Sequence, residues 1–140
     1  MKSTVDTNVL IALWDEDESL NTVALAAFER AQALGGLVVP APVYAELMAL
    51  PGRTETFLDQ FLADTGIYVD WKFEEKVWRS AGHAFQSYVR RRSRHPASEP
   101  RRILADFLIG AYALCRGYQL LTLDDRLYRA AFPELTLIRI

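Results

Sequence analysis

Short, wholly apolar runs recur along the chain, each closed by a turn-forming residue, and between them apolar positions fall at helical spacing. Residues 2–5 form a β-compatible run that ends at Asp6, and residues 8–14 read as helix. Asn21 or Thr22 caps a second helix that turns Val23, Ala26, Ala27, Ala31 and Leu34 to one face, and Gly35-Gly36 stops it. Leu37-Val38-Val39 is a short apolar strand closed by Pro40. Pro42 then suits the first turn of a helix through Leu50, which Pro51-Gly52 ends.

Thr54 starts a further helix to about Asp64, and residues 67–71 read as a strand. From Phe73 to about Arg92 runs a long helix with Val77, Ala81, Ala84, Phe85 and Tyr88 inward, broken by the stretch 96–100. Pro100 or Arg101 opens the next helix, which runs to Arg116 and is capped by Gly117. Residues 119–123 form a strand, Asp124 or Asp125 opens a short helix that ends before Pro133, and residues 135–140 are a last strand. This alternation predicts an α/β fold: a mainly parallel sheet of four to five short strands with helices on both faces. In such sheets ligands bind outside the carboxyl ends of the strands, which says where to look for chemistry.

Composition narrows the class. At 140 residues the chain suits a single domain, 1–140, and its 51% hydrophobic and 24% charged content is that of a packed protein rather than a disordered one. A chain of this size buries about two-thirds of its unfolded surface, so it needs no disulfide or structural metal to fold. The single cysteine, Cys115, makes no internal disulfide and no zinc cage, and suits a reducing cytoplasm. Asp6 interrupts the only apolar stretch near the N-terminus. The longest run elsewhere, 103–115, contains Asp106 and falls short of the ~20 residues that span a bilayer. Neither a secretory signal nor a membrane protein is expected.

A net charge of -2 argues against indiscriminate polyanion binding, but the mean hides an asymmetry. Asp6, Asp15, Glu16, Asp17 and Glu18 make the first eighteen residues acidic. Arg90, Arg91, Arg92, Arg94, Arg101 and Arg102, with His95, face only Glu99 in their segment, which can steer a polyanion.

Four carboxylates occupy telling places. Asp6 follows the first strand and Asp124 the fourth, both at carboxyl ends. Glu46 lies in the first turns of the helix after the second strand. Asp106 stands near the start of the helix before the fourth, in Ile103-Leu104-Ala105-Asp106-Phe107-Leu108-Ile109. An unpaired ionised acid among such neighbours is very costly, so Asp106 needs a cation or hydrogen-bond donors. Convergent carboxylates without a fixed lysine or arginine partner repel one another unless a metal ion sits among them. Hard oxygen ligands then point to Mg²⁺ or Mn²⁺ rather than Zn²⁺. Each acid also has an ordinary structural explanation. Asp124 can be an N-cap, a role Asp125 fills equally well; Asp6 can cap a turn or helix before Asn8; Glu46 can be a first-turn glutamate favoured by the helix dipole. Asp106 is the least comfortable as structure. The set of four, rather than any one acid, carries the reading.

That set resembles a known family. Val5-Asp6-Thr7-Asn8-Val9-Leu10, Ala45-Glu46-Leu47, Ala105-Asp106-Phe107-Leu108-Ile109-Gly110-Ala111 and Leu121-Thr122-Leu123-Asp124 resemble, in order and spacing, the four signature segments of PIN-domain ribonucleases. The nearest likeness is to VapC-type toxins of bacterial type II toxin–antitoxin pairs, and Leu127-Tyr128 with Phe132-Pro133-Glu134-Leu135 is similar to the end of such toxins. The resemblance covers essentially the whole chain. It implies a PIN-like fold, hydrolysis of RNA phosphodiester bonds with Mg²⁺ or Mn²⁺, and Asp6, Glu46, Asp106 and Asp124 as the metal-binding set. Asp6 and Asp106 would be direct ligands, Asp124 a ligand directly or through water, and Glu46 would hold the attacking water or help deprotonate it. Asn8 and Thr122 match polar positions that orient the acids or the scissile phosphate. Asp125 leaves open which of the two neighbours faces the metal. The resemblance also implies a homodimer and a small antitoxin laid across the apolar stripe of Val43, Leu47, Leu50, Phe57 and Phe61, which otherwise reads as core.

Phosphodiester hydrolysis needs an activated water and stabilisation of charge on the phosphoryl oxygens, which one or two divalent ions supply. No histidine is required. His83 falls in the long helix and reads as structural, and His95 lies among the arginines and reads as solvent-exposed. The six arginines are expected to bind RNA phosphates, which gives affinity without sequence choice. The alternative is a solvated helix end whose charge suits its dipole. Trp14, Trp71, Trp78, Phe28, Phe57, Phe61 and Phe85 are spaced for core packing. Two rivals remain. A catalytically inactive PIN-like module that binds RNA or a partner is the first, and the complete acid set argues against it. A phosphatase or receiver domain needs an aspartate where this chain has Asn8, or a late lysine, and the last lysine is Lys76.

Overall fold

Three or four apolar or β-branched residues followed at once by a cap are enough for a buried parallel strand, and the chain is built this way from its start. The computed structural model describes residues 1–15, 19–97, 102–138 and 140. Strand β1 (Ser3–Val5) ends at Asp6, whose side chain accepts the Thr7 N–H and starts α1 (Thr7–Trp14). Helix α2 (Asn21–Leu34) stops at Gly35. Strand β2 (Leu37–Pro40) leads straight into α3 (Ala41–Met48), with Pro42 in the first turn. Helix α4 (Glu55–Thr65) is capped by the Thr54 hydroxyl on the Phe57 N–H, and Gly66 ends it in the left-handed region at φ 71°. Then follow β3 (Tyr68–Asp70), α5 (Glu75–Arg94), α6 (Leu104–Arg116), β4 (Gln119–Leu121), α7 (Asp125–Ala131) and β5 (Leu137–Ile138).

All five strands run parallel, in the order β3-β2-β1-β4-β5. The chain lays strands outward from β1 to β3, then returns to the other side of β1 for β4 and β5. The reversal therefore falls between β1 and β4, where Thr4 faces Leu120 and Val5 faces Leu121. Such a switch point leaves a crevice at the carboxyl ends of the two strands. Asp6 leaves one of those ends and Thr122 the other.

The core lies on both faces of this sheet. Val5, Val38, Val39, Leu120 and Leu121 are buried in it. Helix α6 buries seven residues in a row, Phe107, Leu108, Ile109, Gly110, Ala111, Tyr112 and Ala113, so it is covered all round rather than along one stripe. At Gly110 an added Cβ would lie 2.4 Å from the Phe132 ring and 3.1 Å from that of Tyr128, so only glycine lets α7 and its following residue close on α6. A second tie fixes the sheet's edge. Asp70, at the end of β3, accepts the Tyr112 hydroxyl at 2.8 Å and pairs with Arg116 at 3.2 Å. Burial alone would raise the Asp70 pKa; the Lys72 N–H, the Tyr112 hydroxyl and the Arg116 charge outweigh it and hold the carboxyl below its ordinary value.

The elements follow the sequence pattern with four differences. Helix α2 turns Ala24, Ala27, Phe28 and Ala31 inward and leaves Val23 and Leu34 44% and 63% exposed, because a stripe of alanines lets the helix sit close while burying the ring of Phe28. Helix α6 begins at Leu104 with Ile103 as its N-cap; Pro100 and Arg101, the expected openers, lie outside the described residues, as do Glu16, Asp17, Glu18 and Glu99. Helix α5 continues to Arg94, past the expected end at about Arg92, so Arg90, Arg91, Arg92 and Arg94 all stand on its last turns. Finally, Trp71, Trp78 and Phe57 are 62%, 52% and 38% exposed rather than core, while Trp14 packs edge-on against Phe57 and Phe61. Among the described residues no helix is long and apolar enough to cross a membrane.

Replacing Gly110 by alanine is expected to lower stability by about 1–3 kcal/mol through overpacking. That outweighs the ~1 kcal/mol by which alanine exceeds glycine as a helix former. Urea unfolding should show a lower midpoint at unchanged slope; a midpoint at or above that of the parent would mean that the Phe132 contact yields freely.

Candidate active site

The crevice between β1 and β4 gathers the four acids, each delivered by a different element. Asp6 caps α1 and is 5% exposed; its Oδ1 accepts the Thr7 N–H at 2.8 Å. Its Oδ2 accepts the hydroxyls of Thr122 at 2.8 Å and Tyr128 at 3.0 Å. Glu46, on α3, accepts the Thr7 hydroxyl on Oε1 at 2.7 Å. Asp106, in the first turn of α6, accepts the Ile103 N–H on Oδ2 at 3.3 Å. Asp124 caps α7 by accepting the Leu127 N–H on Oδ1 at 3.3 Å, and pairs through Oδ2 with Arg102 Nη1 at 2.5 Å. Together with Thr7, Asn8, Ile11 and Leu127 they line a cleft of about 220 Å³. Asp6 and Asp124 thus act as helix caps and face the cleft at once; the structural and functional explanations do not compete.

The flanking polar residues fix the frame. Asn8 Oδ1 accepts the Leu123 N–H at 3.1 Å, and the Thr122 hydroxyl accepts the Asp124 N–H at 3.0 Å while donating to Asp6. One turn of chain after β4 is therefore pinned to the start of α1. Asp125 pairs with Arg129 at 3.0 Å along α7 and is not among the residues lining the cleft, so Asp124 is the neighbour that faces it.

Electrostatics mark the site as strained. Burial pushes the Asp6 carboxyl up to about 6 from an ordinary value of 3.8, although Thr122, Tyr128 and Thr7 all favour its charged form. Glu46 is also raised, first by burial and then by the charge of Asp106, against the Thr7 hydrogen bond. Asp106 is raised by burial, with Asp124 adding to the shift and the Ile103 N–H and Arg102 opposing it. Tyr128 is held far above its usual value by burial and by Asp6, which keeps its hydroxyl a donor. Clusters of shifted acids in a cleft are a recurrent mark of functional sites.

Among the described residues no three acidic, histidine or cysteine side chains already stand close enough to clasp one ion. The donor set nevertheless fits a hard divalent cation. Four carboxylates and no thiol or imidazole line the cleft, and three of them carry raised pKa values that a cation would relieve. The expectation that no arginine is fixed among the acids is corrected by the pairing of Arg102 with Asp124.

The other expected residues are spread out. Arg90 and Arg94 are exposed on the end of α5, with Arg91 and Arg92 half-buried beside them; Arg101 lies outside the described residues. His95 is exposed. His83 is also exposed, in the wall of a larger cavity of about 670 Å³ between α5 and the residues after α7. That cavity has Glu134 as its one acidic lining residue, so the smaller cleft is the better catalytic candidate. Thr7 and Tyr128 had no assigned role in the sequence. Thr7 stands between Asp6 and Asn8, but a hydroxyl wired to Glu46 across 39 positions leaves no local signal; Tyr128 stands in the closing segment of the resemblance, where nothing local shows that its hydroxyl reaches Asp6.

The sequence matches the PIN domain model over residues 4–133. No curated protein sequence matches it significantly. Among solved structures, it is similar to VapBC2 from Rickettsia felis bound to a DNA fragment from its promoter, with a TM-score of 0.72, 17% identity, and 99% of this chain and 98% of that one covered. VapBC-1 from nontypeable Haemophilus influenzae gives 0.70 at 20% identity, covering 99% and 98%. VapC20 from Mycobacterium tuberculosis, described as a Sarcin-Ricin loop cleaving toxin, gives 0.59 at 18%, covering 96% and 98%. At these identities the likeness is one of fold. The family match, by contrast, runs from within β1 to just past α7 and takes in all four acids: the chain belongs to the PIN-domain family.

Proposed function

We propose that this chain is a divalent-metal-dependent endoribonuclease acting as the toxin of a toxin–antitoxin pair. The observation that carries the reading is the convergence of Asp6, Glu46, Asp106 and Asp124 on one cleft at the sheet's switch point, with three of their carboxyls raised by burial. The fold shared with VapBC complexes and with a toxin described as cutting the Sarcin-Ricin loop supports an RNA substrate and an antitoxin partner. A second copy of the chain and a cytoplasmic setting belong to the same reading.

Asp6 and Asp106 would hold Mg²⁺ or Mn²⁺, with Asp124 beside them. A bound ion of this kind lowers the pKa of water and offsets charge gathering on the phosphoryl oxygens. Asp6 contributes a carboxylate whose direction is fixed by three donors from three elements. Glu46 accepts the Thr7 hydroxyl on one oxygen, and its raised pKa suits a base that takes the proton of the attacking water. Asn8 and Thr122 hold the turn that carries Asp124 against α1. Arg90, Arg91, Arg92 and Arg94 on the end of α5, with Arg101, would bind the RNA backbone through its phosphates, irrespective of sequence, whereas Arg102 is taken up by Asp124.

The chain, purified free of any partner, is expected to cut RNA at discrete sites with Mg²⁺ or Mn²⁺ and not in EDTA. Asp6→Asn and Asp106→Asn should each lose at least ~100-fold in rate, the scale on which even outer-shell metal partners act. Folded, metal-supplied protein that cuts none of several RNAs would favour the inactive RNA- or partner-binding module instead. Cleavage surviving both substitutions would place the chemistry elsewhere.

The strained acids also fix a pH dependence. Asp6 binds its proton more tightly when folded, so between its unfolded pKa near 3.8 and its folded value of about 6 the native state carries the extra proton. Stability of the metal-free protein should therefore fall as pH rises through that window, by up to about 3 kcal/mol from Asp6. Glu46 and Asp106 act in the same direction, whereas Asp70 titrates below the window. Urea unfolding in EDTA from pH 4 to 7.5 should show this slope, and Asp6→Asn should flatten it. An equal slope in both proteins would mean that Asp6 is not the strained group.

A further inference from the structure

A cation supplied by the chain stands beside the acid cleft, paired with one of its acids. Arg102 Nη1 lies 2.5 Å from Asp124 Oδ2, and the two side chains are only 21% and 28% exposed. The pair is anchored at both ends. The Arg102 N–H donates to the Tyr88 hydroxyl of α5 at 2.7 Å, while Asp124 Oδ1 accepts the Leu127 N–H at the start of α7. Both carboxylate oxygens of Asp124 thus face protein donors. The same segment goes on from Arg102 to Asp106, whose burial-raised pKa the Arg102 charge partly offsets.

We propose that Arg102 is a built-in counter-cation that competes with the divalent ion for Asp124, and so sets the affinity of the site for metal. The inference rests on the metal-dependent reading above. An ion that takes Asp124 must displace the guanidinium, so Arg102 weakens metal binding through that one acid. In return it offsets part of the repulsion among four carboxylates when no metal is bound. Arg102 is on this view a positioning residue, distinct from the exposed arginines at the end of α5. A single exposed ion pair would matter little. This one is about three-quarters desolvated and tied to two helices, which keeps the charge in place rather than averaged over rotamers.

The test is Mn²⁺ binding to the full chain, free of antitoxin and RNA, followed by the electron paramagnetic resonance signal of free Mn²⁺. Coulomb's law makes one unit charge at this range worth about tenfold in the affinity for a second cation. Arg102→Gln should therefore tighten Mn²⁺ binding about tenfold, and Arg102→Lys should stay near the parent. Tyr88→Phe, which unhitches the Arg102 backbone, should shift affinity in the direction of Arg102→Gln and gives a second handle if that variant folds poorly. In an Asp124→Asn background the gain from Arg102→Gln should vanish. Equal or weaker binding by Arg102→Gln overturns the inference alone, as does a gain that persists without Asp124. Absence of Mn²⁺ binding by the folded parent and by every variant would overturn the metal-dependent reading together with it.

Discussion

A single carboxylate, Asp6, has to sit at the end of the central strand with almost no water around it, and the surrounding structure is arranged to keep it there. Desolvating an ion costs several kcal/mol even after relaxation. Three hydrogen bonds to the charged form, at roughly 1.5–3 kcal/mol each, go far toward offsetting that. They do not close the gap, since the Asp6 pKa still stands at about 6. The donors come from the first residue of α1, the turn after β4 and the middle of α7, so satisfying one acid joins three elements that are far apart in sequence. The parallel pairing of β1 with β4 makes the turn's approach possible, because it brings Val5 and Leu121 side by side and lets both chains leave the sheet in the same direction.

One residue wires two acids. The Thr7 N–H serves Asp6 and its hydroxyl serves Glu46, so the acids from β1 and α3 are held in a fixed relation by a single side chain. The neighbouring Asn8 reaches the other way, to the Leu123 N–H. The run Asp6-Thr7-Asn8 therefore works as a junction. Its first residue carries the buried charge, and the next two place the acids of α3 and of the β4–α7 turn around it. Tyr128 completes the arrangement from below, and its own seat depends on Gly110 leaving room for Phe132. Packing in α6 and charge in the cleft are thereby coupled. A methyl group added at Gly110 presses on the residues that hold Asp6.

Most of the architecture was legible because its signals are local. Asp6, Thr54 and Asp124 cap the helices that the sequence places after them, and Gly35, Gly66 and Gly117 end helices through backbone freedom or simple termination. The four acids were legible as a set because their segments stand in order and at the spacing of a known signature, with Asp6 and Asp124 at the carboxyl ends of their strands. What could not be read are distances across the fold. Nothing near Arg102 in sequence indicates that its partner is Asp124, 22 positions away, and it was grouped with the arginines beside it. The inward face of α2 was misjudged because Val23 and Leu34 are more hydrophobic than the alanines that face inward. Close approach to the sheet rewards small side chains as well as apolar ones. Trp71 and Trp78 are spaced for core packing, yet both are more than half exposed, and Trp71 directly follows the edge strand β3.

The arginines at the end of α5 show how far a structural explanation reaches before it fails. Arg91, Arg92 and Arg94 stand in the last turn, where positive charge is favoured by the helix dipole. That effect is worth about 0.3–1 kcal/mol at the surface and fades beyond one turn, so one or two cations satisfy it. Arg90 and Arg94, four residues apart on one face, repel by a similar amount, which removes the gain. A cluster of this density at a helix end therefore brings little net stability. Under the proposed function the cluster would instead attract the phosphate backbone of RNA. Helix α5 also supplies the Tyr88 hydroxyl that holds the Arg102 backbone. The same helix thus carries a cluster of arginines at its end and, one turn earlier, the hydroxyl that holds the Arg102 backbone.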